Sequence, residues 1–151
     1  DGCSVFYSGT VAGAREGALS GVPSIAVSLA TFAETNFSYA AKIGMRVAKA
    51  VLKYGMPTGT FFNVNVPAIK SSQIKGIKFT TQGKEPIHET FKKRVDPHSR
   101  NYYWMGGKLP TTEKDLSIDT FALKQNYVTI TPIHCDVTNY DFLQELNAWK
   151  L

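Results

Sequence analysis

Tyr7-Ser8-Gly9-Thr10 is the stretch of this chain with the most chemical content. Residues 5–8, Val-Phe-Tyr-Ser, read as the end of an apolar strand, and Gly9 permits a sharp turn. A helical pattern then begins at Thr10, with Val11, Ala14 and Ala18 on one stripe and Arg15 and Glu16 on the other side. The first N–H groups of a helix have no internal acceptor, and the helix dipole favours an anion there. Two hydroxyls and a glycine at such a junction can wrap a phosphate without a lysine. The competing assignment is structural: Ser8 or Thr10 caps the helix and does nothing else. Taken alone, the tetrapeptide favours the cap.

Other reactive side chains are weaker candidates. His88 and His98 fall in a polar hairpin and read as surface imidazoles, while His134 lies at a strand end near Asp136, where proton donation to a leaving group is conceivable. A structural role ranks ahead of it. No two histidines have metal-ligand spacing with a third group. Cys3 and Cys135 form no Cys-x-x-Cys motif and read as small buried hydrophobes in a reducing, cytoplasmic setting. Tyr102-Tyr103-Trp104 can stack a nucleobase, but packing against a neighbouring subunit is at least as good a use.

The elements that must position these residues follow from periodicity. Gly21 and Pro23 close the first helix, and residues 24–29 form a short apolar run suited to a strand covered on both faces. With the run at 5–8 this makes a β-α-β unit. Ala40, Ile43, Val47, Ala48 and Val51 mark a helix over 36–53, with Lys42, Arg46, Lys49 and Lys53 opposite and Thr35 or Asn36 as cap. Residues 61–67 are the next strand, in which Asn63 and Asn65 are two amides that need partners if buried. Another strand follows at 76–81. Residues 85–95 and 101–105 flank the turn-forming group 96–100 and predict a long hairpin leaving the body, with 106–112 as loop. A short helix over 115–125, an alternating strand over 127–133 and an amphipathic helix over 141–149 complete the chain.

Composition sets the outer bounds. With 151 residues, 43% hydrophobic and 19% charged, the chain can build a real core and is not a disordered type. No apolar run approaches the roughly 18 residues of a membrane span, and no signal peptide pattern is visible. The formal charge of +5 comes from dispersed basic residues, the densest group being Lys92-Lys93-Arg94. A nucleic-acid partner is therefore not expected, because no recognition motif accompanies the charge.

Read together, Tyr7-Ser8-Gly9-Thr10-Val11-Ala12, Arg15-Glu16-Gly17, the run from Gly21 to Ser28, Phe62-Asn63-Val64-Asn65-Val66-Pro67, Asp96-Pro97, Tyr102-Tyr103-Trp104 and the run from Tyr127 to Pro132 closely resemble the SurE family of 5′/3′-nucleotidases. The resemblance spans nearly the whole chain in family order. It implies a Rossmann-like α/β sandwich and a divalent-metal-dependent phosphatase acting on nucleoside monophosphates, in some members also on polyphosphate. It places Ser8, Gly9 and Thr10 on the family's phosphate-holding turn. The hairpin and the terminal helix match the parts used in subunit exchange, implying a homo-oligomer, dimer or tetramer.

One departure carries equal weight. The family holds its metal with an adjacent Asp-Asp pair, a Ser, and an Asn just before this turn, whereas Asp1, Asp96, Asp115, Asp119, Asp136 and Asp141 are all isolated here. In family spacing that Asn falls just before Asp1. The expectation is thus a partial three-layer α/β sandwich lacking its first strands and its metal ligands, which lie upstream and hold Mg or Mn. Residues 1–83 form part of the core, 84–108 the projecting hairpin, and 109–151 the last core strand and terminal helix. The isolated chain is expected to be inactive. The rival reading is a non-catalytic oligomerisation or scaffold fragment that folds beside a partner.

Overall fold

The computed structural model describes residues 2–31, 33, 36–86, 88–108, 112 and 114–150. The chain enters not as a strand at 5–8 but as a 3-10 helix over Gly2–Tyr7. A strand needs a neighbour for its backbone groups, and among the described residues none pairs with these; Val5 instead packs with Val11, Ala14, Ala18, Ala26 and Phe61. Helix α1 (Gly9–Leu19) follows directly. Strand β1 (Ser24–Ala30), helix α2 (Ser38–Tyr54) and strand β2 (Thr60–Pro67) form the β-α-β unit of the fold, one unit later than the sequence suggested. After β3 (Gly76–Phe79), strands β4 (His88–Val95) and β5 (Asn101–Lys108) pair, among the described residues, only with each other. Helix α3 (Asp119–Lys124), strand β6 (Tyr127–His134) and helix α4 (Tyr140–Glu145) end the chain, α4 tightening into a 3-10 turn over Leu146–Ala148.

Several boundaries moved for local reasons. The predicted helix over 115–125 begins only at Asp119, because Asp115 accepts the Ser117 N–H in a turn of its own and Ile118 bridges to Thr81. The loop expected from Gly106 is strand as far as Lys108, held opposite His88 to Thr90. Asn36 accepts the Ser38 N–H at 2.8 Å without acting as the helix cap, and Thr35 lies outside the described residues.

The main sheet has the order β1-β2-β6-β3. β1 and β2 run parallel, β6 is antiparallel to β2, and β3 is parallel to β6. Because side chains alternate across a strand, Val64 and Val66 of β2 and Val128 and Ile130 of β6 turn towards α2, where Ala40, Ile43, Val47 and Val51 complete an apolar core. The other face is divided. Phe61 and Ala26 meet α1, while Asn63, Asn65, Thr129 and Thr131 make a buried polar band farther along. Gly44 lets α2 sit close to β1, since a Cβ there would lie 3.3 Å from Val27.

One carboxylate ties the ends of this arrangement together. Asp119 is fully buried, and accepts the N–H of Gly2 at 2.8 Å, of Gly83 at 2.8 Å and of Thr120 at 2.7 Å. Removing it strands two buried N–H groups, each costing about 1–3 kcal/mol. Asp119→Ala is therefore expected to lower the urea-unfolding free energy by about 3 kcal/mol or more, with Asp119→Asn intermediate because it keeps one acceptor oxygen. A loss below the error of the measurement would mean the clasp is not a stability determinant.

Candidate functional site at the start of helix α1

Ser8 is the N-cap of α1, in extended conformation at φ −83 and ψ 120. Its Oγ accepts the Val11 N–H at 3.3 Å, and its carbonyl accepts the Ala12 N–H at 2.9 Å. The cap assignment is thus correct as far as it goes. It leaves the hydroxyl proton of Ser8 available, because a hydroxyl both accepts and donates. Among the described residues no acceptor takes the N–H of Gly9 or Thr10, or the Thr10 hydroxyl. Gly9 and Thr10 are exposed and Ser8 half-buried, with the exposed rings of Phe6 and Tyr7 alongside. The structure therefore brings Ser8, Gly9 and Thr10 together as one set of donors at the positive end of a helix eleven residues long.

Gly9 shows what the fold does and does not require. A Cβ placed on it meets nothing within 4 Å, and Gly9 is not among the glycines of positive φ. Neither packing nor backbone geometry in this chain demands glycine there. Gly17 contrasts with it: a Cβ there would collide with the Ser24 side chain where α1 passes the start of β1.

The polar band on the same sheet face adds three donors that the sequence only half revealed. Asn63 Nδ2, Asn65 Nδ2 and Thr129 Oγ1 are buried without a partner among the described residues. Asn65 sits directly opposite Thr129 in the ladder, and Asn63 opposite Thr131, whose hydroxyl pairs with that of Thr80 at 2.8 Å. The amides were legible as buried polar groups; Thr129 was not, because its β-branched side chain fits a strand equally well on either face.

Other sites separate from this one. A cleft of about 430 Å³ lies at the carboxyl ends of β1 and β2 on the α2 side, lined by Leu29, Tyr39, Lys42, Pro67 and Lys70 among others, and it does not include the Ser8 turn. Among the described residues its lining has no acidic side chain. His88 and His98 are exposed on the hairpin, and His134 is exposed at the end of β6. Among the described residues no hydrogen bond joins Asp136 to His134. Hydrogen bonds from the Thr138 side chain and the Tyr140 hydroxyl, then from the Thr138 N–H, hold its carboxyl down at about 2 and commit it to the turn leading into α4. Among the described residues no three His, Cys, Asp or Glu side chains gather where a metal ion could be held.

The family profile described as Survival protein SurE matches residues 1–89. This chain belongs to the SurE family. The 5′-nucleotidase SurE of Chlorobaculum tepidum is 45% identical over 146 residues, covering 97% of this chain and 56% of that protein. The 5′-nucleotidase SurE of Moorella thermoacetica is 43% identical over 148 residues, covering 98% of this chain and 57% of that protein. The crystal structure of SurE from Aquifex aeolicus superposes with a TM-score of 0.80 at 38% identity, covering 97% of this chain and 59% of the other. The chain thus spans little more than half the length of the SurE proteins it matches.

Within this SurE chain the turn's structural role is tested by substitution. Ser8→Ala is expected to cost about 1 kcal/mol through the lost cap. Gly9→Ala is expected to leave stability unchanged or raised by no more than about 1 kcal/mol, since alanine is the better helix residue and nothing obstructs it. Thermal melting of the two variants checks both; a Gly9→Ala variant that unfolds early would show a packing constraint at that position.

Proposed function

We propose that the full-length protein is a phosphomonoesterase that hydrolyses nucleoside 5′- and 3′-monophosphates, and that Ser8, Gly9 and Thr10 hold the phosphate. The observation that carries this reading is the pairing of SurE-family membership with unsatisfied donors at the start of α1. In the proposed complex the N–H groups of Gly9 and Thr10 and the hydroxyls of Ser8 and Thr10 donate to phosphate oxygens. The two N–H groups are fixed by the helix before substrate arrives, so they favour the negative charge that grows on those oxygens without reorganising. The absent Cβ of Gly9 gives a phosphate oxygen room at the backbone, which explains a glycine the fold itself does not require.

The divalent cation, Mg or Mn, does not fit the described residues, which offer no ligand cluster. In this reading its ligands stand in the portion of the relatives' length that this chain does not cover, and no step is assigned to it here. The same portion supplies a further strand to β1. That strand is an edge of the described sheet, yet it is apolar and flanked on its faces by α1 and α2, without the charge or proline that protects a true edge. The protein reduced to this chain is accordingly inactive. No described helix is long and apolar enough to cross a membrane, and the reading places the enzyme in the cytoplasm as a homo-oligomer.

The subunit contacts fall on the hairpin and on the terminal helix. Phe91, Val95, Tyr103 and Met105 are exposed on the hairpin, as are Val137, Tyr140, Leu143 and Trp149 at the C-terminus. Exposed apolar groups in such density suit a second copy of the chain. The same surfaces favour the rival reading of a scaffold fragment, which the activity assay separates.

Each hydrogen bond to a charged oxygen contributes about 1.5–3 kcal/mol, so Ser8→Ala and Thr10→Ala are each expected to lower kcat/KM for a nucleoside monophosphate roughly ten- to a hundredfold. Gly9→Val is expected to be more damaging than either. Full activity in both alanine variants would reduce the turn to a helix cap. Independently, replacing residues 88–108 by a short loop is expected to lower the oligomer mass seen by light scattering while the α/β body stays folded. An unchanged mass would remove the hairpin from the interface.

A further inference from the structure

The pairing of β4 with β5 sorts two runs of residues that the sequence presents as blocks. Directly opposed residues share a face of an antiparallel ladder, and neighbours along a strand alternate. The register sets Lys92 opposite Trp104 and Arg94 opposite Tyr102, so these four occupy one face. Phe91 with Met105, Lys93 with Tyr103, and Val95 with Asn101 occupy the other. Lys92, Arg94, Tyr102 and Trp104 are thus neighbours on the first face, with Thr90 and Gly106 beside them and the His88–Lys108 pair at its end. The Arg94 guanidinium lies 5.3 Å from the Trp104 ring centroid, within cation–π range. Tyr102 is 39% and Trp104 58% exposed.

Acidic groups stay off this face. Glu89 lies on the opposite side, paired with Gly107, and Asp96 sits beyond the ladder, engaged by Arg100 at 2.8 Å. We propose that this face of the hairpin binds single-stranded nucleic acid, with bases stacked on Tyr102 and Trp104 and phosphates paired with Lys92 and Arg94. Aromatic rings at alternate positions of one strand, with cations on the neighbouring strand, are the elements of a sheet-surface stacking platform. An apolar protein partner would leave the two charges buried and unpaired. The two faces differ in balance: the opposite one carries a single such pair, Lys93 with Tyr103, among Phe91, Val95 and Met105, and remains available to a second copy of the chain. The inference does not depend on the Ser8 turn or on phosphatase activity.

The test uses the full-length protein, with EDTA present, and a fluorescein-labelled oligothymidylate of about ten nucleotides, within the usual span of such surfaces. Fluorescence anisotropy is expected to show binding that weakens between about 50 and 200 mM salt. Tyr102→Ala with Trp104→Ala is expected to weaken binding at least roughly tenfold. Lys92→Gln with Arg94→Gln is expected to weaken it and to flatten the salt dependence by about one phosphate contact per residue. Phe91→Ala with Met105→Ala is expected to leave it unchanged. Should the aromatic variants lose the hairpin by circular dichroism, the Lys92 and Arg94 variants decide. Absence of binding at about 100 µM protein, the weak end of sequence-independent affinity, overturns the proposal. So does wild-type affinity in the Lys92 and Arg94 variants, or a fall in oligomer mass in those variants that accounts for the lost binding.

Discussion

Asp119 is the constraint on which the placement of the candidate site depends. Its carboxylate collects N–H groups from the chain start, from the segment after β3 and from its own helix. The chain that leaves Gly2 reaches Ser8 within a single 3-10 helix, so fixing Gly2 limits where α1 can begin. A fully buried carboxylate is costly unless its oxygens are satisfied. Three backbone donors provide that here, and Thr81 reinforces the arrangement from below: its carbonyl accepts the Asp119 N–H at 3.0 Å. The N-terminal turn and α3, far apart in sequence, are held as one piece.

The sheet then divides the labour between its faces. The α2 side is mainly apolar and provides most of the hydrophobic driving force. The α1 side changes from apolar packing around Phe61 to a polar band of asparagines and threonines. Unpartnered donors in such a band are expensive. SurE membership and the relatives' greater length give that imbalance a context, since this chain covers little over half of them.

Two features leave the body incomplete by the standards of a closed fold. β1 ends the described sheet while having the composition of an interior strand. The hairpin and α4 expose rings and aliphatic groups. Open edges and apolar patches are usually covered. The hairpin also differs between its sides: one pairs Lys92 and Arg94 with Trp104 and Tyr102, the other carries most of its aliphatic groups.

The periodicities of the sequence by themselves determined α2, β2, β6 and the hairpin, because each has a strong pattern that its surroundings reinforce. The chemical promise of Ser8-Gly9-Thr10 was also legible, since a helix start exposes its N–H groups whatever precedes it. Tertiary structure decided the rest. Residues 5–8 have the composition of a strand, but strand formation is a property of pairs; with no neighbour among the described residues, the chain forms a 3-10 helix up to Tyr7 and Ser8 caps α1. Asp119 looked like an ordinary acid in the first half of a helix; its burial depends on groups at Gly2 and Gly83 that no local window contains. Lys92-Lys93-Arg94 and Tyr102-Tyr103-Trp104 read as a charged run and an aromatic run. Which cation faces which ring is set by register, a relation between strands that neither strand encodes alone.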